Sequence, residues 1–190
     1  MDSIYFHDNS ALYVNLFTPS TLDWKQRSVK ITQATTFPVG DTTTLTVTGT
    51  GNWAMKIRIP SWTSGATISV NGQASRVAAN AGSYATLSRS WVSGDTVTVK
   101  LPMKLRTVAA NDNANIAAIA YGPTILSGNY GQQSLSSMPS LALNSVRRTN
   151  SNSLAFTATA DGKAVNLGPF YDAQNINYNV YWKVSGQFPN

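Results

Sequence analysis

Apolar and polar residues alternate with a period of two along most of this chain, and this pattern limits what the chain can fold into. Met55, Ile57 and Ile59 share one face of a predicted strand, and Lys56 and Arg58 share the opposite face. Strands alternate in this way because successive side chains point to opposite faces of the sheet, whereas a surface helix repeats about every 3.6 residues. Further alternating segments are Thr42–Gly49, Thr67–Val70, Asp95–Leu101, Leu154–Ala158, Ala164–Leu167 and Asn175–Val184. With no long amphipathic helix beside them, these segments predict an all-β fold.

Turn signals separate the predicted strands at short intervals. Asn71-Gly72 is the strongest hairpin signal, because a two-residue type I′ turn needs positive φ at both central residues. Gly next to Asp marks other turns, as in Ser93-Gly94-Asp95 and Asp161-Gly162. Many short strands with regular turns are typical of antiparallel sandwiches and barrels. We favour sandwich-like units, of which the jelly roll is one form.

The composition changes after Pro102, and this change predicts two β units. The first is expected to span residues 1–106 and the second residues 107–190. Within the second, the Gly, Ser and Gln-rich stretch from Gly128 to Ser140 predicts a loop. The segment Asn175–Val184 predicts one closing strand whose apolar face includes Tyr178 and Trp182.

The acidic, Cys and His content excludes most catalytic sites. The 190 residues include fourteen Lys plus Arg but only eight acids, all of them Asp, and neither Cys nor Glu occurs. A disulfide framework, a thiolate nucleophile and a cysteine-ligated zinc site are therefore excluded. His7 is the single histidine, so a multi-histidine metal site is excluded as well. No cofactor is predicted, although Asp8, Asp23 and Asp172 leave calcium open as an alternative.

The net charge of +6 is thinly spread, with Arg147-Arg148 as the one adjacent basic pair. Nucleic-acid binding needs a concentrated basic face, and a membrane span needs about 20 apolar residues, so neither partner is predicted. Abundant Thr, Ser, Asn and Gly suit an extracellular β-protein. Secretion is an expectation from composition, since the N-terminal segment lacks the basic start and long apolar stretch of a signal peptide.

A succession of short motifs resembles one known family over nearly the whole chain. In the first unit these motifs are Leu12-Tyr13-Val14-Asn15-Leu16-Phe17-Thr18-Pro19-Ser20, Arg58-Ile59-Pro60-Ser61-Trp62, Ile68-Ser69-Val70-Asn71-Gly72, Trp91-Val92-Ser93-Gly94-Asp95 and Leu101-Pro102-Met103. They resemble the middle β-sandwich domain of glycoside hydrolase family 127, which includes β-L-arabinofuranosidases. Later motifs resemble the start and the closing strand of that family's C-terminal domain: Ala120-Tyr121-Gly122-Pro123, Ile125-Leu126-Ser127, Pro169-Phe170-Tyr171-Asp172-Ala173 and Tyr178-Asn179-Val180-Tyr181-Trp182.

The resemblance implies that the catalytic part of such an enzyme is missing from this sequence. In that family a helical (α/α)₆ barrel precedes the sandwiches and carries a Cys nucleophile beside zinc, with a Glu as acid/base. This chain has no Cys, no Glu and no pattern of a helical barrel, so none of those catalytic positions carries over. Many relatives have a His in the closing segment where this chain has Gln174, which puts any role of that His here in doubt.

Aromatic residues are the candidates for contact with a sugar, because sugar C–H faces stack on exposed rings. Trp53, Trp91 and Trp182 are assigned to the core. Trp53 shares the parity of an apolar strand face, Trp91 precedes a turn, and Trp182 lies on the apolar face of the last strand. Four less committed rings are the predicted carbohydrate-binding residues, although covering a sheet edge or packing on the missing barrel explains each of them better: Trp24, Trp62, Tyr84 and Tyr181.

Three functional hypotheses follow. The first is a carbohydrate-binding module for plant or microbial polysaccharides or oligosaccharides that contain arabinofuranose. The second is a structural domain that packs on and stabilises a separate (α/α)₆ catalytic barrel. The third, which the sequence favours least, is a hydrolase that uses a pair of Asp side chains. Under the first two, the chain itself is not an enzyme, and it has no catalytic or metal-binding residue.

Overall fold

The computed structural model describes residues 4–113 and 115–189. The chain divides into two compact units, Met1–Met103 and Lys104–Asn190. The boundary predicted from composition, between residues 106 and 107, lies slightly further along the chain. The outer ends of the two predicted domains, residues 1 and 190, lie outside the described residues.

The first unit is a sandwich of two sheets. Its strands are β1 (Tyr5–His7), β2 (Ala11–Val14), β3 (Ser20–Trp24), β4 (Val29–Thr35), β5 (Thr42–Thr48), β6 (Gly51–Ile59), β7 (Thr67–Val70), β8 (Gln73–Ala74), β9 (Ser83–Trp91) and β10 (Thr96–Lys100). One sheet has the order β1-β2-β6-β9, and the other has the order β3-β4-β5-β10-β7-β8. Neighbouring strands are antiparallel except β2 and β6, which run parallel. The all-β fold class predicted from the alternation is confirmed.

The core of the first unit consists of the inward residues of both sheets. On β6 these are Trp53, Met55, Ile57 and Ile59, all buried as the alternation predicts. They join one apolar cluster with inward residues of the six-stranded sheet, such as Ile31. Burial of this apolar surface is the main force that holds two such sheets together.

The Asn71-Gly72 turn forms the predicted hairpin between β7 and β8, with φ of 51° and 77° at its two residues. Its Asn71 amide also donates a hydrogen bond of 2.7 Å to the buried Asp95 carboxylate. Asp95 accepts a second bond, of 3.0 Å, from the Val92 amide. One carboxylate therefore holds two turns together at the same end of the sandwich.

The second unit is built on a closed ring of strands. Its strands are β11 (Leu105–Ala109), β12 (Ile116–Tyr121), β13 (Thr124–Asn129), β14 (Ser140–Arg148), β15 (Phe156–Ala160), β16 (Lys163–Pro169), β17 (Tyr178–Asn179) and β18 (Tyr181–Ser185). The sheet order is β11-β12-β18-β14-β15-β16-β13-β17, and an additional pairing of β12 with β13 closes six of these strands into a ring. The predicted Gly/Ser-rich loop corresponds to the connection from β13 to β14.

The predicted single closing strand is wrong in one respect, because Asn175–Val184 contains two short strands. β17 pairs with β13, whereas β18 pairs with β12 and, in parallel, with β14. Tyr178 consequently does not share the buried face of Trp182: it is 45% exposed, while Trp182 is fully buried. In the described residues helical structure is limited to 3₁₀ turns at Lys25–Arg27 and Phe170–Asp172, and no helix there is long and apolar enough to cross a membrane.

Candidate functional site

The solvent-facing side of the four-stranded sheet, which we call the outer face, collects polar and aromatic side chains. On β6 the residues that alternate with the buried set point outward, and these are Asn52, Ala54, Lys56 and Arg58. The antiparallel register places them opposite the outward residues of β9, which are Ser90, Ser88, Thr86 and Tyr84. The outer face is therefore a consequence of the same alternation that builds the core.

Two tyrosines form the aromatic part of the outer face. Tyr84 is 43% exposed, and its ring meets the half-buried ring of Tyr13 edge-on, with 5.6 Å between centroids and 85° between planes. The Tyr84 hydroxyl donates a hydrogen bond to the side-chain oxygen of Asn15. Arg58 lies directly across the strand pair from Tyr84. Tyr84 thus offers an exposed ring whose orientation is held by a neighbouring ring and a hydrogen bond.

A hydrogen-bond relay runs along the edge of this aromatic pair. The Lys56 ammonium donates a bond of 2.8 Å to the Tyr13 hydroxyl, which donates one of 3.1 Å to the Asp8 carboxylate. The Lys56 nitrogen also lies 4.6 Å from the centroid of the Tyr13 ring. The bond with Tyr13 raises the pKa of Lys56, so Lys56 is a cation at neutral pH.

A shallow concavity of about 520 Å³ lies on the outer face beside these residues. Its polar lining includes the Ser10, Ser88 and Ser90 hydroxyls, the Asn52 amide and the Lys56 ammonium. Hydroxyls and amides both donate and accept hydrogen bonds. The concavity can therefore bind a ligand rich in hydroxyl groups, and Lys56 connects its lining to the Tyr13–Tyr84 pair.

Trp24 does not meet the requirements of its predicted role. Its ring is only 2% exposed, because Trp53, Arg27 and His7 pack against it with centroid separations of 5.5, 5.2 and 5.4 Å respectively. A buried indole has no free face on which a sugar can stack. Trp24 instead forms part of the wall of a second cleft, of about 530 Å³, whose polar rim includes Asn9, Gln26 and Thr50.

The structure does not bring the four predicted rings together in one site. Trp62 is half-buried and stacks on Phe37 at 6.1 Å and 30°. Tyr181 is 50% exposed but belongs to β18 of the second unit. Only Tyr84 lies on the outer face, and the assignment of sugar-binding residues stays a prediction.

Three residues of the outer face were missed in the sequence: Tyr13, Lys56 and Arg58. A signal for them existed, since Lys56 and Arg58 alternate with the apolar face of β6, and Tyr13 lies between the apolar Leu12 and Val14. The sequence does not contain the register that joins β2, β6 and β9. Without the register, these positions cannot be recognised as neighbours of Tyr84.

The second unit has an exposed aromatic cluster of its own. Phe170, Tyr171 and Tyr178 are 43%, 58% and 45% exposed, and the rings of Phe170 and Tyr178 lie 5.3 Å apart. Tyr178 and Leu135 also line a shallow depression of about 400 Å³.

The described residues contain no group of three His, Cys, Asp or Glu side chains that could hold a metal ion. Among the residues raised as calcium ligands, Asp8 already accepts bonds from the Ser10 and Ala11 amides and from the Ser10 and Tyr13 hydroxyls. Asp172 belongs to the second unit. Calcium stays an untested alternative with no ligand set among these residues.

Asp8 and Asp95 make the stability of the first unit decrease at acid pH. Hydrogen bonds from Ser10 and Ala11 lower the pKa of Asp8 to about 2. Hydrogen bonds from Asn71 and Val92 lower the pKa of Asp95. Because both folded pKa values lie below the unfolded value of about 3.9, these carboxylates stabilise the fold fully above about pH 4. That stabilisation is lost as the pH falls below about 4 towards the folded pKa values.

We expect Asp95→Asn to lower the stability of the first unit at pH 6 and to flatten the decline of that stability as the pH falls below about 4. Urea unfolding followed by tryptophan fluorescence measures this effect, since Trp24, Trp53, Trp62 and Trp91 all lie in the first unit. Asp23→Asn removes an exposed carboxylate of β3 and is the matched control, for which we expect the wild-type profile. An Asp95→Asn profile parallel to that of the wild type contradicts the assignment.

Comparisons with known proteins agree with this architecture. Residues 11–103 match the family model described as "Beta-L-arabinofuranosidase, GH127 middle domain". Among solved structures, a GH127 β-L-arabinofuranosidase from Geobacillus stearothermophilus T6 is similar with a TM-score of 0.79 and 22% identity, over 96% of this chain and 35% of that chain. A second structure, of a glycoside hydrolase, has a TM-score of 0.78 and 21% identity over 96% and 37%. A third, of a GH127 β-arabinofuranosidase, has 0.76 and 21% over 98% and 37%.

These structures are similar to the chain in fold, and the chain spans only 35 to 37% of their lengths. A comparison with curated proteins finds no match. The family match covers most of the first unit, from β2 to the residues just beyond β10. The resemblance seen in the sequence is thereby confirmed: residues 11–103, which make up most of the first unit, match the middle domain of glycoside hydrolase family 127.

Proposed function

We propose that this chain is a non-catalytic accessory part of a family 127-type glycoside hydrolase and binds carbohydrate through the outer face of its first unit. The observation that carries the proposal is the exposed Tyr84 ring, held edge-on against Tyr13. The Tyr13 hydroxyl in turn bonds Lys56, which lines a concavity rich in hydroxyl and amide groups. The ligands are plant or microbial polysaccharides or oligosaccharides that contain arabinofuranose. We also propose an extracellular location, because such polymers occur outside the cell.

The geometry suits sugars because a sugar has apolar C–H faces and polar edges. A ring such as Tyr84 contacts the C–H face, while hydroxyl and amide groups exchange hydrogen bonds with the sugar hydroxyls. Ser88 and Asn52 supply such groups in the concavity, further along β9 and β6 from Tyr84 and its partner Arg58. The names of the solved relatives, which are arabinofuranosidases, support arabinofuranose as the sugar.

The carboxylates of the first unit support a non-catalytic role. Glycoside hydrolysis with Asp or Glu needs two carboxyl groups that flank the bond, one of them protonated. Asp8 is the acid that hydrogen bonds connect to the outer face, and its pKa of about 2 keeps it ionised at neutral pH. An ionised carboxylate cannot act as the general acid, which argues against the Asp-dependent hydrolase.

We expect titration calorimetry with arabinan, arabinoxylan and arabino-oligosaccharides to show saturable binding to at least one of them. Tyr84→Ala should weaken that binding about tenfold, because it removes the exposed stacking surface. Tyr84→Phe keeps the ring and should retain most of the affinity. Tyr171→Ala removes an equally large and more exposed tyrosine from the second unit and is the matched control, for which we expect wild-type affinity.

If none of these glycans gives a saturable heat of binding with a chain that unfolds cooperatively, carbohydrate binding is contradicted. Binding that is lost in Tyr181→Ala or Tyr171→Ala and kept in Tyr84→Ala contradicts the placement of the site on the first unit. Either result is obtained with the full chain, so it does not depend on separate folding of the units.

A second candidate function is docking onto a separate (α/α)₆ catalytic barrel, favoured by the exposed aromatic cluster of the second unit. Phe170, Tyr171 and Tyr178 together expose three large rings, and Tyr181 of the same unit exposes a fourth. Contiguous exposed apolar surface of this kind commonly marks a protein–protein contact. In this role the chain stabilises the barrel and does not bind the substrate of the barrel. The calorimetric titrations with glycans are then expected to show no binding.

A further inference from the structure

The four-stranded sheet that forms the outer face contains cations but no acid. Its strands β1, β2, β6 and β9 include Lys56, Arg58 and Arg89, and no Asp occurs in any of them. Lys56 and Arg58 point outward, whereas Arg89 is the cross-strand partner of the buried Trp53. Asp8, just beyond β1, is the acid that a hydrogen bond connects to this face. Lys56 and Arg58 against Asp8 leave the outer face with a net positive charge near the exposed ring.

Arg58 and Lys56 flank the aromatic pair. Arg58 is the cross-strand partner of Tyr84, and Lys56 is the cross-strand partner of Tyr13. Directly opposed residues of two strands have their Cβ atoms about 4.5 to 5.5 Å apart, so each cation lies within reach of a ligand that contacts the neighbouring ring.

The three cations differ in how far their charge is already balanced. Arg89 forms an ion pair of 3.4 Å with the buried Asp95 carboxylate and lies over the Trp91 ring. Lys56 is hydrogen-bonded to the Tyr13 hydroxyl, which in turn bonds Asp8, and the charge of Asp8 also attracts Lys56 directly. Arg58 forms no hydrogen bond or ion pair with any residue in the described ranges, and it is exposed. Arg58 is thus the cation with an unused guanidinium, and Lys56 is the second.

We infer that the outer face selects glycans that carry carboxylates, with Arg58 and Lys56 binding the carboxylate of a uronate while Tyr84 stacks on its ring. This inference rests on the proposed carbohydrate-binding function of the same face. A planar guanidinium matches a carboxylate with two parallel hydrogen bonds, and the charge on Lys56 adds attraction at short range. A uronate joins the two required parts in one residue, since its ring presents C–H groups and its C6 carbon bears the anion.

The experiment compares matched ligands that differ only in the anion. A galacturonate oligosaccharide and its fully methyl-esterified form have the same ring and hydroxyls, so any difference in their affinity reports the carboxylates. We expect the acid form to bind about tenfold or more tightly at low salt, and the difference to shrink in 0.5 M NaCl because salt screens exposed charges. A neutral arabino-oligosaccharide is titrated alongside.

The variants then place the effect on the outer face. Arg58→Gln should weaken binding of the acid form about two- to fivefold, as expected for one exposed ion pair, and leave the ester unaffected. Lys56→Gln should weaken binding of the acid form by a similar factor and binding of the ester by a smaller one, because Lys56 also lines the concavity. Arg58→Lys keeps the charge and should recover part of the loss. Lys30→Gln removes the same charge from an exposed position of β4 on the other sheet and should have no effect.

The outcomes separate the two proposals. Equal affinity for the acid, the ester and the arabino-oligosaccharide overturns the selection of carboxylates and leaves carbohydrate binding intact. Absence of binding to all three overturns both. Equally tight binding of polyglutamate, which has carboxylates but no sugar ring, also overturns the inference, because it shows attraction of any polyanion. A preference for the acid form that survives in Arg58→Gln and Lys56→Gln overturns its placement on this face.

Discussion

Trp91→Ala is expected to destabilise the first unit by about 3 to 5 kcal/mol, the range for removing a large buried aromatic side chain. Trp91 is 1% exposed and stacks on Trp53 with 5.0 Å between ring centroids. Its indole nitrogen donates a bond of 3.0 Å to the Trp53 carbonyl, and the Arg89 guanidinium lies over its ring. The substitution removes all these contacts and leaves a cavity between two sheets that have little freedom to close on it.

Urea unfolding of the full chain, followed by circular dichroism, measures this loss. Val92→Ala is the matched control, because Val92 is the next residue and is 54% exposed, and we expect it to change stability by less than about 0.5 kcal/mol. Trp91→Phe keeps an aromatic ring in the core and should lie between the two. If Trp91→Ala is as stable as Val92→Ala, the stacking of Trp91 on Trp53 is not part of the core as described.

The tryptophans show which buried residues local alternation can predict and which it cannot. Trp53, Trp91 and Trp182 were assigned to the core from the sequence, and all three are buried, which confirms the assignment. Trp24 is one of the four predicted carbohydrate-binding residues, because the sequence does not clearly commit it to the core. Its burial comes from Trp53 of the facing sheet, and contacts of that kind are tertiary. A usable local signal was its shared parity with Leu22 in β3.

The two units differ in how much of their strand order the alternation could predict. The number of strands, their turns and their inward residues follow from a period of two, and the Asn71-Gly72 hairpin follows from turn chemistry. The closed ring of strands in the second unit cannot be predicted from alternation, because it depends on pairings of strands that are distant in sequence, such as β12 with β18. The continuous alternation of Asn175–Val184 concealed a change of partner between β17 and β18, since alternation does not identify the neighbouring strand.

The candidate site was partly predictable for the same reason. Alternation shows that Lys56 and Arg58 point away from the core, and that Tyr84 does not share the face of the buried apolar residues of β9. It does not show that Tyr13 and Tyr84 meet, because β2 pairs with β6 in parallel and β9 pairs with β6 on its other side. The site is therefore a product of register, which is set by the packing of the whole sheet.

Gly128→Ala is expected to cost the second unit about 3 kcal/mol, at the upper end of the range for overpacking a core. Gly128 is buried in β13, where its backbone pairs with Leu167 on one side and Asn179 on the other. A Cβ at this position would lie 2.8 Å from the Cζ2 of Trp182 and still closer to its Cη2, whereas carbon atoms in contact lie about 3.5 to 4 Å apart. Neither group can move easily, because the strand is paired on both sides and Trp182 is fully buried.

Gly168→Ala is the matched control for this clash. Gly168 lies in β16, which pairs with β13, and a Cβ there meets no atom within 4 Å. Replacing a glycine at such a site with alanine restricts the unfolded chain, so the variant should be neutral or slightly more stable. Thermal unfolding followed by circular dichroism, with hydrogen exchange of peptides from β13 and β16, separates the two variants and assigns the loss to the second unit.

The double variant Gly128→Ala/Trp182→Phe tests the cause of the loss. Phenylalanine lacks the outer ring of the indole that the new methyl group would meet, so the clash is relieved and the two substitutions are not additive. We expect the double variant to be more stable than the sum of the single losses predicts by about 1 kcal/mol or more. Additive losses would mean that Gly128 is required for its backbone conformation and not for the space occupied by Trp182. The absence of a positive φ at Gly128 argues against that explanation, because any L-residue can adopt its backbone conformation.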